Sequence, residues 1–296
     1  MINLAELAAL YADHGADLDR PVEPVRVTDD LVVGDGDVVV MGVVNLSQDS
    51  TYRESVAPSV EAAVRSARTQ VGQGADIVDF GAEASHDGAD RADAATQIDR
   101  LVPVVEQLAG EITVSVETYR PEVAEAVLDA GAVLINLTGR EHEDEILPLV
   151  ARADATVLMC FSPGDNVRDS GELPDDDSMF PALIEHFEKR LAKAREAGVR
   201  KVIVDPGSGF TYDNLDGIGK ARVQTQVLAQ TMRLRRLGVP SAHALPHCFD
   251  LFEREFRHAE GFFAVPAALG GSHLLRVHEV PRVRAVLRAL RELDVR

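Results

Sequence analysis

Residues 112–137 read ITVSVETYRPEVAEAVLDAGAVLINL, a complete strand–helix–strand unit. ITVSVE (Ile112–Glu117) is apolar and β-branched, PEVAEAVLDA carries helical periodicity behind Pro121, and VLINL (Val133–Leu137) is a second apolar run. Proline suits the first helical position because the N–H it lacks has no partner there, and glycine just past a helix supplies the left-handed residue that ends it. Gly131 does this here, and Gly198 and Gly238 repeat the punctuation in EAGVR and RLGVP.

Working outward, the same unit recurs along the chain from Val38. The expected strands are Val38–Asn45, Asp76–Phe80, Ile112–Glu117, Val133–Leu137, Thr156–Cys160, Lys201–Asp205, Pro240–Ala244 and Leu274–His278, with helices between them such as EDEILPLVAR from Glu143. Eight even alternations of strand and helix predict an α/β protein, a (β/α)8 TIM barrel over residues 38–296, with an open doubly wound sheet as the alternative. Ahead of it, residues 1–37 are expected to form an N-terminal helix over 2–13 and a small hairpin from VEPVRV and LVV that plugs the amino end of the barrel. SPGDNVRDSGELPDDDS (Ser162–Ser178) reads as the one long polar loop, either a lid or disordered. RVQTQVLAQTMRLRRLG reads as a solvated barrel helix with a basic side.

Bulk properties bound the function. With 46% hydrophobic and 27% charged residues the chain has ample material for a core, so disorder and fibre are excluded. A net charge of −19 with no basic stripe argues against nucleic acid. No apolar run approaches the roughly 18 residues of a membrane span, and the acidic start lacks a leader pattern, so a cytoplasmic protein is expected. Two cysteines, Cys160 and Cys248, read as free thiols of a reducing compartment. Only four basic residues are lysine (Lys189, Lys193, Lys201, Lys220), a bias of GC-rich or salt-adapted genomes.

Chemistry in a barrel sits just past the carboxyl ends of its strands. Those ends carry Asn45 and Asp49, then Glu83, Ser85 and His86, then Glu117 and Thr118, Asn136, Asp205, and finally Arg276 and His278. Glu117, Asn136 and Asp205 interrupt apolar strands, where an unpartnered carboxylate or amide is costly to bury. A ligand with several N–H donors is expected to supply the partner; a helix cap or loop backbone is the bland alternative. For Arg276 the bland alternative is an ion pair to Glu279 or another rim acid.

These residues resemble the dihydropteroate synthase-like, pterin-binding family. MGVVNLSQDS, DFGAEASHDGA, SVETYRPEVAEA, LINLTG, IVDPGSGF and RVHEV match its motifs in order over roughly residues 38–285, the first and IVDPGSGF most specifically. The resemblance implies a transferase of folate biosynthesis that joins a dihydropterin, carried as its hydroxymethyl diphosphate, to p-aminobenzoate with release of diphosphate. It implies that Asn136, Asp205, Arg276 and His247 meet the pterin, with Glu117 in place of an aspartate. Asn45, Ser85, His86 and His278 would face the diphosphate, and Asp49, Phe210 and Cys248 the second substrate. Asn45, Arg276 and His278 would be the catalytic group, Asn45 the Mg²⁺ ligand, and a homodimer the assembly.

Two loops depart from the family. Where it has Ser-Thr-Arg-Pro-Gly this chain has Ala84-Ser85-His86-Asp87-Gly88, and where it has Ser-Arg-Lys-Ser this chain has Leu245-Pro246-His247-Cys248. Each lost cation is worth on the order of 10²–10³ in rate if it stabilises the leaving diphosphate. The expectation is therefore a synthase-like transferase with altered substrate or reduced activity. The alternatives are a pterin- or folate-binding homologue without synthase activity, or a methyltransferase using a methylated folate. A third class, a zinc hydrolase built on His243, His247, Cys248, His273 and His278, lacks the His-x-His pair such barrels carry on the first strand.

Overall fold

A computed structural model describes residues 2–47, 49, 52–83, 91–166, 172, 176–208, 215 and 217–293. Eight parallel strands run β1 (Val39–Asn45), β2 (Ile77–Gly81), β3 (Val114–Glu117), β4 (Leu134–Thr138), β5 (Thr156–Cys160), β6 (Lys201–Asp205), β7 (Ala242–Ala244) and β8 (Leu274–Val277). They pair in the order β6-β5-β4-β3-β2-β1-β8-β7, and a parallel bridge from Val204 to Ser241 joins the two ends. Because β1 lies between β2 and β8 and neighbours are consecutive, the sheet is a nearly closed (β/α)8 barrel and the open doubly wound alternative falls. Among the described residues no helix is long and apolar enough to cross a membrane.

The helices are α1 (Leu4–His14), α2 (Val60–Gly72), α3 (Ala94–Leu108), α4 (Pro121–Asp129), α5 (Glu143–Arg152), α6 (Asp176–Glu196), α7 (Gly217–Ala229), α8 (Phe249–Phe252), α9 (Ala259–Leu269) and α10 (Val280–Glu292). Gly131, Gly198 and Gly238 take φ of 111°, 88° and 71°, the left-handed conformation that their places after helices require. The Asn3 side chain accepts the Glu6 N–H in a capping box that starts α1. An antiparallel hairpin, Val25–Arg26 with Val32–Val33, follows, and its Val25, Val27 and Val33 pack against Met41, Ile77, Leu134, Leu158, Ile203 and Leu274 inside the amino end of the barrel.

Two expectations need correcting. The polar stretch expected as a loop to Ser178 already enters helix α6 at Asp176. The arginine-rich run is not one solvated helix: α7 stops at Ala229 and Thr231–Leu237 tightens into a 3-10 helix. Arg235 is buried there and donates to Asp35 at 2.7 Å and to the Arg20 carbonyl at 2.6 Å, and Arg236 bonds Asp17. Partners two hundred or more residues upstream in sequence, in the N-terminal segment, convert an apparently free basic face into the seam that holds that segment.

The strand pleat sorts side chains into two faces. Val44, Val78, Phe80, Val116, Ile135, Leu137, Val157, Met159 and Val204 point to the helices and form the main core. The alternate residues fill the barrel in layers. Met41, Ile77, Leu134, Leu158, Ile203, Ala242 and Leu274 form the lower layer. Two residues further on, the same strands present Asp79, Asn136, Cys160, Asp205 and Arg276.

Candidate active site at the barrel mouth

The upper layer is a network centred on a residue the sequence reading passed over, Asp79 of β2. Its carboxylate is fully buried and accepts from Arg276 Nε at 2.7 Å, Asn136 Nδ2 at 3.0 Å and Ser115 Oγ at 2.5 Å. The guanidinium fork of Arg276 also donates from its other arm to Glu117 Oε2 at 2.6 Å. Burial works against the Arg276 charge, but the Asp79 and Glu117 carboxylates more than offset it and raise its pKa. Cys160 donates its S–H to Asn136 Oδ1 at 3.3 Å, and its thiol pKa is pushed well up, chiefly by burial.

For the strand-end polar groups, where a ligand was the expected partner and a loop backbone the alternative, the protein itself already supplies partners. Arg276 partners Glu117, Asp79 and Cys160 partner Asn136, and backbone N–H groups of Gly207 and Ala244 reach Asp205 at 2.8 and 3.2 Å. The ion pair of Arg276 is to Asp79 and Glu117 rather than Glu279, which is engaged by Tyr52, Arg257 and Arg282. Gly207 reaches Asp205 from a left-handed φ of 73°, and a Cβ there would lie 2.1 Å from the Phe161 carbonyl oxygen, so the DPGSGF turn admits only glycine at this point. Burial raises Asp205 to about 6, partly offset by those two N–H bonds and by Arg276.

Asn45 at the end of β1 is held by its amide N–H, which donates to Ser55 Oγ at 2.6 Å. A Cβ at Gly81 would stand 3.6 Å from Asn45 Oδ1 and 3.9 Å from Glu117 Oε2, so both oxygens border the small space this glycine leaves. Asp49 is exposed, and its N–H donates to Ser47 Oγ at 3.3 Å. Glu83 faces sideways, accepting from the Ala92 N–H, Gln97 and Tyr119. Ser85, His86 and Phe210 lie outside the described residues.

After β7 the chain is rebuilt. Leu245 donates its N–H to the Arg276 carbonyl, and Cys248 takes a left-handed φ of 46° as it turns into α8. Lys220, in the first turn of α7, has its pKa lowered by burial, with the Cys248 thiol acting the other way. Of the five residues grouped as a zinc set, only His247 and His278 meet, at 3.0 Å. His243 has the opposite pleat parity and turns outward to Thr231 at 2.8 Å, while His273 sits at the amino end of the barrel against Ser241, Arg235 and Asp35. The partner that joins the pair instead is Glu260 of α9, 3.0 Å from His278 Nδ1 and 3.3 Å from His247 Nε2.

A buried polar layer at the carboxyl end of a nearly closed parallel barrel lies where barrel enzymes that act on small molecules place their sites. The family described as "Pterin binding enzyme" matches residues 41–278, and the chain belongs to that family. It is 33% identical over 96% of its length to the "Probable bifunctional folylpolyglutamate synthase/dihydropteroate synthase" of Haloferax volcanii, but spans only 34% of that protein. It is 29% identical to the dihydropteroate synthase of Synechocystis sp., covering 81% of this chain and 85% of the relative. Among solved structures, Xanthomonas albilineans dihydropteroate synthase with 4-aminobenzoic acid superposes with a TM-score of 0.76 at 27% identity, over 92% of this chain and all of that one.

Proposed function

We propose that this chain binds a dihydropterin on the floor formed by Asp79, Glu117, Asn136, Asp205 and Arg276 and transfers its methylene carbon from diphosphate to an amine. The observation that carries the reading is the polar layer itself: carboxylates and an amide converge inside an apolar barrel, matching the N–H-rich edge of an aminopyrimidine. Relatives that bear the name dihydropteroate synthase, and one solved with 7,8-dihydropteroate at 25% identity and a TM-score of 0.72, support it.

In the proposed reaction the amine nitrogen attacks the pterin methylene, the C–O bond breaks, its electron pair leaves with diphosphate, and the nitrogen gives up a proton. Asn136, Asp205 and Glu117 hold the ring edge. Arg276, already fixed by Asp79, positions the ring and faces the developing anion. Asn45, clamped by Ser55, offers the single hard amide oxygen that suits Mg²⁺, which when bound would neutralise diphosphate oxygens. His278 and His247 line the same rim, and we assign Ser85 and His86 to the diphosphate and Asp49, Phe210 and Cys248 to the second substrate.

A second reading, pterin binding without condensation, draws on one observation: Nε and Nη2 of Arg276 are already engaged by carboxylates, leaving less positive charge for a leaving anion. Calorimetry with a dihydropterin, followed by assay of diphosphate release with p-aminobenzoate and other amines in Mg²⁺, separates the two. Binding with release supports the transferase, binding alone the second reading, and no pterin affinity overturns both.

We further propose residues 38–296 as one catalytic barrel with 1–37 as its accessory segment, acting in a reducing, cytoplasmic setting that suits the two free thiols. A homodimer is proposed from Phe262, Leu269 and Leu290 on the packed helices α9 and α10, which keep 37–58% of their surface exposed; light scattering of the purified chain tests it.

A further inference from the structure

His247, Glu260 and His278 come from three separate elements, the loop after β7, the first turn of α9 and the end of β8, yet three of their atoms form one small triangle. Its sides are 3.0 Å between His247 Nε2 and His278 Nδ1, 3.0 Å between His278 Nδ1 and Glu260 Oε1, and 3.3 Å between His247 Nε2 and Glu260 Oε1. All three can offer a lone pair when His247 carries its proton on Nδ1 and His278 on Nε2. A cation at the centre would meet all three lone pairs at once, in the tautomers that carry each ring's proton on its other nitrogen.

The surroundings hold the triangle in place. Glu260 is fully buried, and its carboxylate accepts the backbone N–H of His278 at 2.9 Å and of Glu279 at 2.7 Å, which orients it toward the histidines. Tyr52 lies against both imidazoles, with ring centroids 4.6 Å from His247 and 4.4 Å from His278, and Phe249 stacks on His247 from another side. Oriented carboxylates and packed rings are what fix ligands around a metal.

We propose that His247, Glu260 and His278 form a site for one divalent transition-metal ion of the zinc class, with a fourth position open to water or an anion oxygen. Metal–ligand bonds of about 2.05 Å in a tetrahedron put ligand atoms about 3.3 Å apart, close to the observed sides. Two imidazoles and one carboxylate favour zinc or a similar borderline ion over magnesium or calcium, which take oxygen ligands. Three protein ligands are the number that leaves an exchangeable position. An ion of charge +2 against one carboxylate leaves net positive charge on the rim that has histidine in place of a lysine. That consequence alone rests on the proposed diphosphate reading.

The test uses the full chain without a polyhistidine tag, stripped with a chelator and titrated with Zn²⁺ against a chromophoric competitor, and with Co²⁺ for its visible absorption. One equivalent bound below micromolar Kd is expected, unaffected by millimolar Mg²⁺. His247→Ala, which leaves the backbone bonds of Glu260 intact, should weaken binding at least about 100-fold, whereas the surface variant His258→Ala should not change it. Binding that is substoichiometric, or equal in His247→Ala, overturns the site. Inorganic diphosphate should shift the cobalt bands; bands that ignore it overturn the assignment of this ion to the anion rim while leaving the three-ligand site standing. Because pterin is absent from every arm, loss of pterin binding with metal binding intact would count against the proposed function alone.

Discussion

The two halves of the barrel interior are built from the same strands and the same pleat parity, yet they have opposite chemistry. Ile77, Leu134, Leu158, Ile203 and Leu274 make the lower layer, sealed by the hairpin valines. Asp79, Asn136, Cys160, Asp205 and Arg276, each two residues on and so roughly 6.6 Å further along its strand, make the upper one. The lower half stabilises by removing apolar surface from water at about 25 cal/mol per Å². The upper half is costly unless every charge is paired, and the fold meets that cost by forking Arg276 between two carboxylates. One half holds the barrel closed; the other stores oriented charge.

The contrast breaks most sharply at Arg276. Arg276→Met leaves Asp79 and Glu117 without their cation, and a loss of about 3–5 kcal/mol in urea denaturation is expected, together with loss of pterin binding. A change under about 1 kcal/mol would mean that the fork does not hold the layer. In the lower half, Ile77→Ala is expected to cost about 2–5 kcal/mol by opening a cavity, with pterin affinity within about twofold of the parent. A large affinity change there would show that the layers are not separable.

Smaller effects sharpen the boundary. Asp205→Asn should cost about 1.5–3 kcal/mol of pterin affinity in calorimetry, the worth of hydrogen bonds to a charged acceptor, while folding stability at pH 7 is kept or slightly raised because a buried carboxylate is relieved of its charge. The smallest effect is in pH. Asp205 sits near 6 in the fold against an ordinary value of 3.8, so the native state binds its proton more tightly than the unfolded chain. Its contribution therefore favours the fold most at low pH and fades as pH rises through about 6. A pterin donating N–H groups needs the ionised form, so affinity should run the other way, falling up to about tenfold per unit below pH 6 and levelling above it. Asp205→Asn should flatten this profile.

Much of this was legible in the chain. Strand and helix alternate at periods set by local geometry, so all eight strands could be marked to within about two residues, and polar residues interrupting apolar strands pointed to Glu117, Asn136 and Asp205. Asp79 obeys the same rule, two positions after Ile77 in DIVDF, but it lies inside its strand and not at the carboxyl end where barrel chemistry is expected. Glu260 had no such signal. One acid at the start of an ordinary helix looks like any other N-terminal acid, and only packing against the end of β8 and the loop after β7 gives it two imidazoles to face.

The sequence by itself determined the eightfold alternation, the parity of the strands and the residue types at their ends, because those follow from the order and period of neighbours along the chain, whereas closure was left to the fold. Tertiary structure decided the pairings. Arg276 meets Asp79 and Glu117 across 197 and 159 residues because closure sets β8 beside β1, and the arginines after α7 meet the N-terminal segment because their 3-10 turn packs on the residues after α1. Which charge finds which is a property of distance in space, and no period along a chain encodes it.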